Sequence, residues 1–497
     1  MAAFIGIDLG TTYSAISYID ENGSPKIINN SEGENITPSC ILIEGDTVIV
    51  GEEARKELGL SDNVLARFKR HMGEKGKKYE VDGKEYTPTD CSSLVLKKLF
   101  QDAQKEIGEI GDAVVTIPAN FTNKARTATI TAAKLAGLEV ENIVDEPTAA
   151  ALYYAFKRGV ALNGQYAVYD LGGGTFDISI INVTQKKDKQ DIDVLASEGV
   201  KKLGGDDFDT ILQKIVKKKF KDEHNEKLAE QDYTKTEAEE DKKSLSKREY
   251  VNVRSNKKNI KVTRAEFEEK ISSLVMQAEM LCESILNENN LTPEDLQEVF
   301  LVGGSTRVPC VEKSVERVFN KKPTKSINVD EAVVLGASLY AAYKGDPSNL
   351  NVAQKEAVDK IKVTDVTPSF FGTFAYTEDQ KKVVSNIIDK NTPRPCSVTK
   401  SFYTMYEGQE AIDCTITSSD NKEEDPKFVT IVQETILHLP SGRPANLEIQ
   451  ITYSFDDNGV MQASFKDVES GKVENLKISP TGGTKSDSSN IDRFTVE

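Results

Sequence analysis

Apolar and polar positions follow two different rhythms along this chain. From the first residues to about residue 345, strand-like and helix-like patterns take turns. Residues 5–19 and 26–28 read as a meander of strands. Between Cys91 and Ile107 the residues Leu94, Val95, Leu99, Ala103 and Ile107 recur at helical spacing, and residues 113–117 form a short run of the buried-strand type. An Ala-rich helix is predicted over 124–137, stopping at Gly137 as helix C-termini do. Such alternation predicts an α/β architecture. Residues 214–258 are strongly polar, and the runs 214–219 and 237–243 read by themselves as solvated helix faces.

After Lys344 the rhythm changes. Gly345, Asp346, Pro347, Ser348 and Asn349 form a breaker cluster, and a polar connector follows to about Thr364. Strand signals then dominate, at 381–388, 398–406, 411–417, 428–438 and 473–478. Leu447, Ile449, Ile451, Tyr453 and Phe455 alternate with polar residues, and the turn signal Asp456-Asp457-Asn458-Gly459 leads into a returning strand over 460–465. The organisation expected is a first domain over 1–345, a linker over 346–364, an antiparallel β domain over 365–481 and a Ser/Asp/Lys-rich disordered tail over 482–497.

Composition narrows the functions available. Of 497 residues, 38% are hydrophobic and 29% charged, which suits a soluble globular chain, and the net charge of −17 disfavours an electrostatic hold on nucleic acid or anionic lipid. It leaves room for a local basic site for a polyphosphate. The six cysteines (Cys40, Cys91, Cys282, Cys310, Cys396 and Cys414) show no Cys-x-x-Cys spacing, and only His71, His224 and His438 are available beside them. A zinc cluster or a Cys-His nucleophile pair is therefore disfavoured, and free thiols in a reducing compartment are expected. No apolar run is long enough to span a membrane, and no signal peptide is evident, so the cytoplasm is expected.

The most informative feature is a near-repeat. Ile7-Asp8-Leu9-Gly10-Thr11-Thr12-Tyr13-Ser14 closes one strand, and Tyr169-Asp170-Leu171-Gly172-Gly173-Gly174-Thr175-Phe176-Asp177 closes another. In each, a strand ends in Asp, turns on Gly and Thr, and runs into a second strand. Glycines let backbone N–H groups approach phosphate oxygens, threonine hydroxyls add donors, and an Asp at the strand end can hold a hydrated magnesium ion. Two such turns facing each other would clamp a triphosphate. The pattern is neither a P-loop nor a dinucleotide fingerprint, because the glycines lead into a strand. In a third element, the apolar run 300–302 passes into Gly303-Gly304-Ser305-Thr306-Arg307. The glycines there permit close approach of a base or ribose, and Arg307 can stack on a ring face.

With these elements in this order, the sequence resembles the DnaK-type 70-kilodalton heat-shock chaperone family over about residues 3–480. The motifs that carry the resemblance are IGIDLGTTYS at 5–14, DEPTAAAL at 145–152, YDLGGGTFDISI at 169–180, GGDDFD at 204–209 and FLVGGSTRVP at 300–309. The resemblance implies an actin-like two-lobed ATPase domain followed by an antiparallel β-sandwich domain that binds extended apolar segments of unfolded proteins. It implies ATP and ADP, Mg2+ and K+ as ligands. Gly10, Thr11, Thr12 and Tyr13 match the first phosphate loop, with Asp8 beside the metal and its waters. Gly172, Gly173, Gly174 and Thr175 match the second loop. Asp170 and Asp177 match the acidic positions near the attacking water and the cations, Asp170 reaching the metal through water. Glu146 matches the glutamate that senses nucleotide, and Lys69 the lysine that supports the γ-phosphate. Gly204 and Gly205, with Gly303, Gly304, Ser305 and Arg307, match the nucleotide and adenosine site. Glu239, Lys242, Lys243 and Ser246 match its opposite wall, and Asp330 matches the last nucleotide-contacting aspartate. By position, Phe371, Thr373, Tyr376, Phe402, Met405 and Ile412 would line the peptide cleft. Core filling is the competing role for these six. The family's partners, a J-domain co-chaperone and a nucleotide-exchange factor, are implied as well.

The sequence departs from the family pattern in places. The linker, a leucine run in the family, is Ile361-Lys362-Val363-Thr364-Asp365, so weaker interdomain coupling is expected; Pro118 and Arg126, which match the relay to the linker, are retained. Asn142 stands for a usual arginine and Asp145 for a usual asparagine where a J-domain docks, and this exchange of charge is expected to weaken an acidic partner. The helical lid of typical members has no counterpart after Ile478, which predicts faster peptide exchange. Alternatives from other classes are a regulatory or co-chaperone module that keeps nucleotide and one fixed protein partner, and a small-molecule kinase of the same fold.

Overall fold

The computed structural model describes residues 3–497 apart from 141, 159–161, 187–188, 325–327, 457–458, 479–490 and 492. The chain divides into two compact units, one formed by Met1–Val363 together with Thr484–Glu497 and the other by Thr364–Gly483.

The first unit contains two mixed sheets built on one plan. In the first, Ala3–Asp8 pairs antiparallel with Tyr13–Ile19, which pairs with Pro25–Ile28; on its other side it runs parallel to Ile110–Ile117, which runs parallel to Asn142–Asp145. In the second, Gly164–Leu171 pairs antiparallel with Phe176–Lys186, which pairs with Lys189–Val200; on its other side it runs parallel to Leu296–Val302. The near-repeat in the sequence is thus a repeat of architecture. Parallel neighbours require crossovers, and helices supply them: Pro88–Ile107 precedes one parallel strand and Arg264–Glu288 the other. Thr87 with Asp90, and Thr263 with Glu266, start these helices as capping boxes. Both faces of the central strands are covered, so Phe4, Ile5, Ile7, Val168 and Tyr169 are all buried. Gly336, on helix Ala332–Lys344, permits a close helix contact, since a Cβ there would meet Ala149 O at 1.7 Å.

Two expectations about chain organisation are corrected. Residues 346–363 are not a free connector but part of the first unit. A helix forms over Val352–Val358, Gln354 Nε2 donates to the carbonyls of Ile19 and Asp20, and Ile361–Thr364 is the edge strand beside Lys189–Val200. Ile361 is buried in that strand while Lys362 is exposed. The lysine therefore occupies an outward position in that strand, where a leucine would bury little. Nor is the tail disordered throughout. Residues 482–490 lie outside the described residues, but Thr495–Val496 pairs parallel with Thr47–Val50, and Ile491, Phe494 and Val496 are buried. Apolar side chains spaced along an otherwise polar segment give it enough surface to bury.

The second unit consists of two four-stranded antiparallel sheets around one core. One has the order Lys382–Ile388, Phe370–Tyr376, Ala411–Ser419, Thr430–His438; the other Cys396–Tyr403, Glu448–Phe455, Met461–Asp467, Val473–Ile478. Ile449, Ile451, Tyr453 and Phe455 point inward, as their alternation demands. Tyr453 donates its hydroxyl to Gly372 O at 3.0 Å, tying one sheet to the other. The signal Asp457-Asn458 at the turn lies outside the described residues. All six cysteines are free. Among the described residues no helix is long and apolar enough to cross a membrane.

Candidate functional site

The two Gly/Thr turns face each other within the first unit. The first joins Ala3–Asp8 to Tyr13–Ile19 and the second joins Gly164–Leu171 to Phe176–Lys186. A Cβ on Gly173 would stand 2.3 Å from Thr12 Oγ1, and one on Gly174 would stand 2.3 Å from Thr11 Oγ1. A side chain at Gly173 or Gly174 would crowd these threonines. The first turn is braced by Ser14 Oγ, which accepts from Gly10 N at 3.1 Å, and by Ser39 Oγ, which donates to Gly10 O at 2.8 Å. A third backbone segment closes in at Gly204 and Gly205: Gly205 N donates to Gly172 O and Asp206 N to Gly173 O.

Acidic groups gather beside these turns. Asp8 ends its strand and accepts from Thr116 Oγ1 at 2.9 Å. Asp170 and Asp177 are direct partners across the second hairpin. Lys69 Nζ lies 2.6 Å from Glu146 Oε1, with both side chains nearly sealed from water. Burial, and then the charge of Glu146, push the Asp8 carboxyl up to about 6 against the pull of Lys69. Burial and Glu146 likewise hold Asp170 and Asp177 well above the carboxylate range. Burial disfavours the Lys69 ammonium, but Glu146 and Asp8 outweigh it and its pKa rises.

One lysine faces four carboxyl groups, of which Glu146, Asp170 and Asp177 are buried, and a bound cation would favour their charged forms. Among the described residues no three His, Cys, Asp or Glu side chains converge as direct ligands. The oxygen donors suit a hard cation that keeps its waters. Among the described residues, Asp177 Oδ2 and both polar atoms of the Asn120 side chain are buried without a partner, as fits a polar ligand beside them.

The third element joins the same assembly. Gly303 has φ +82°, and a Cβ there would strike Leu171 O at 2.4 Å. Ser305 Oγ donates to Gly172 O at 2.8 Å. Arg307 is largely exposed and pairs with Asp330 at 2.6 Å; a Cβ on Gly304 would reach Asp330 Oδ1 at 2.9 Å. From helix Lys235–Lys247, Glu239 accepts from the Tyr13 hydroxyl at 2.9 Å and pairs with Lys243 at 3.0 Å, while Lys242 donates to Gly205 O at 3.0 Å. Burial would raise the Glu239 carboxyl, but Lys243, Arg55 and Lys242 hold it down at about 2. Ser246 spends its hydroxyl on Lys242 O within its own helix.

Sequence reasoning missed the ion pairs that bind these segments together. Arg55 bonds Glu239 and Glu240. Arg67 and Arg70 both pair with Asp206, and Arg70 also pairs with Asp207 and donates to Gly174 O at 2.9 Å. The GGDDFD motif held half the signal, since adjacent aspartates in a helix first turn attract cations as well as capping the helix.

Elsewhere the structure changes earlier expectations. Asp145 is buried and pairs with Arg126 at 2.9 Å, so its charge is spent inside the unit and presents no negative surface to a partner. Phe371 and Thr373 are each 1% exposed, and Phe371 packs on Phe455 in the core between the sheets. They fill that core and do not line an open cleft. Phe402 and Ile412 are half-buried against the same core, whereas Tyr376 and Met405 are exposed, as are their unforeseen neighbours in sequence Tyr403 and Tyr406.

The family model described as Hsp70 protein matches residues 4–497. The chain therefore belongs to that family.

Proposed function

We propose that this Hsp70-family chain is a chaperone driven by ATP hydrolysis, with the nucleotide in the first unit and extended apolar polypeptide on the second. The observation that carries the reading is the opposition of Thr11 and Thr12 to Gly174 and Gly173. Two turns so close, each rich in backbone N–H and hydroxyl donors, form a clamp for a chain of phosphates, in the two-lobed, actin-like manner of the family. Asp8 and Asp170 would hold Mg2+ through its waters, and the ion supplies positive charge against the phosphates.

Hydrolysis needs positioning and charge balance more than covalent chemistry. Asp170, Asp177 and Glu146 would orient the attacking water, and Thr175 would hold it at the second turn. A carboxyl held above its usual range is suited to accept a proton from that water. Lys69 offsets negative charge developing at the γ-phosphate. Gly303, Gly304, Ser305 and Arg307 would take the adenosine, with Glu239, Lys242, Lys243 and Ser246 opposite and Asp330 at its edge. K+ is a further cation for the same acidic site.

On the β unit, Tyr376, Tyr403, Met405 and Tyr406 are among the exposed aromatic and sulfur-bearing side chains, Phe428 being another, that would be offered to an apolar peptide. A J-domain co-chaperone and a nucleotide-exchange factor are the expected partners, and the cytoplasm the expected compartment. The test is the dissociation rate of a fluorescent apolar peptide before and after adding ATP with magnesium. Faster release on ATP is expected. Binding without an ATP response would overturn the coupled chaperone, and no binding at all would remove the peptide site.

A further inference from the structure

The strand Thr47–Val50 lies at the edge of a sheet that continues through Cys40–Glu44 to Val64–Ala66. An open edge is a template for any extended chain. Here residues 495–497 occupy it through ladder bonds. Thr495 N donates to Asp46 O at 3.0 Å, Glu497 N to Val48 O at 2.9 Å, and Val50 N to Glu497 O at 2.9 Å. The side chains are held too. Phe494 lies 6.1 Å from the Tyr86 ring, and Arg493 sits over the Phe494 ring at 4.6 Å while donating to the Tyr86 hydroxyl. Lys97 Nζ donates to Phe494 O at 3.2 Å. Main-chain bonds for affinity and buried side chains for selectivity are the elements of strand-addition recognition.

This sheet also carries groups of the site described above. Thr47–Val50 runs through Gly51 into helix Glu52–Lys56, whose Arg55 bonds Glu239. Cys40–Glu44 follows Ser39, which bonds Gly10, and Val64–Ala66 leads into Arg67, Lys69 and Arg70. Adding a strand to the edge therefore stiffens the frame on which those groups stand.

We propose that the outer edge of Thr47–Val50 is a peptide-docking site, that its ligand is this chain's own segment 493–497, and that its occupancy slows release of nucleotide. The last clause rests on the nucleotide reading above. Charge agrees with the occupant, because Arg493 meets Asp46 at 3.9 Å.

The test uses the full chain and its Phe494→Asp variant, reading amide hydrogen exchange at Val48 and Val50 and the release rate of fluorescent ADP. The variant should lose protection at both amides and release ADP about five-fold faster or more, and a peptide of residues 490–497 in excess should restore both. Thr495→Pro, which deletes one ladder bond without placing a charge in the core, should act in the same direction more weakly. Unchanged protection in both variants would show that the segment does not dock. Lost protection with unchanged release would overturn the link to nucleotide. If the unaltered chain holds no ADP, the nucleotide reading fails while exchange still reports docking. Sedimentation of the unaltered chain should show a monomer; a dimer that disperses in the variant would assign the segment to a second copy and overturn docking in cis.

Discussion

Lys69 and Glu146 form an ion pair with 2.6 Å between Nζ and Oε1, and neither side chain is more than 9% exposed. Each charge is tolerable in its dry surroundings only because of the other. Lys69→Met should therefore strand the Glu146 carboxylate and lower stability by about 3–5 kcal/mol. It should also slow single-turnover ATP cleavage by about 10²–10³-fold. Adding Glu146→Gln should recover most of the stability and none of the rate. Denaturant melts and quenched-flow cleavage read the two effects separately, and equal stability of the single and double variants would refute the pairing argument.

Asp8 predicts a pH signature. Its folded pKa stands at about 6 against an ordinary value of 3.8. The folded state is therefore favoured most below 3.8, and that contribution is lost as the pH rises through about 6. Asp170 and Asp177 act in the same direction. Asp8→Asn removes the cost and keeps an acceptor for Thr116. Without nucleotide or metal, the variant should melt higher than the parent at about pH 7.5, with the gap closing toward about pH 5. Its magnesium-dependent ATP cleavage should nonetheless fall. A lower melting point at the higher pH would contradict the assignment.

Gly173 tests whether the two turns must meet. Gly173→Ala sets a methyl group where Thr12 Oγ1 now lies, 2.3 Å from the new carbon. ATP affinity measured by titration calorimetry should drop at least roughly tenfold, or about 1.4 kcal/mol. Thr12→Gly in the same chain should return part of it. Undiminished affinity in Gly173→Ala would show that phosphate binding does not depend on this approach.

The β unit separates core from surface. Phe371→Ala should cost about 3–5 kcal/mol of that unit's stability. Met405→Ala, at an exposed side chain, should stay within about 0.5 kcal/mol of the parent in stability while weakening apolar peptide binding. Peptide affinity indifferent to Met405 and Tyr376 would move the peptide site elsewhere.

The paired turns were legible because their chemistry is contiguous: a strand, an aspartate and a Gly/Thr turn announce themselves in ten residues. The alternation of Ile449 to Phe455 was legible for the same reason. Arg55, Arg67 and Arg70 were not, because each finds its partner far along the chain and no local period marks it. Phe371 and Tyr376 look alike in sequence, and only the packing of one sheet on the other makes the first a core residue and leaves the second exposed. Lys362 read as a loss of apolar surface until the strand placed it outward.

The pairing of residues 495–496 with 47–48 has a cost measured in time. Arg493 meets Tyr86 across 407 residues of chain. At a synthesis rate of about 5–20 residues per second, the edge of Thr47–Val50 emerges roughly 20–90 seconds before its partner exists. During that interval the nascent chain displays an unpaired β edge beside a half-built hydrophobic core. A protein whose family guards others against aggregation thus passes through an aggregation-prone stage of its own, and leaves it only when its distal residues arrive.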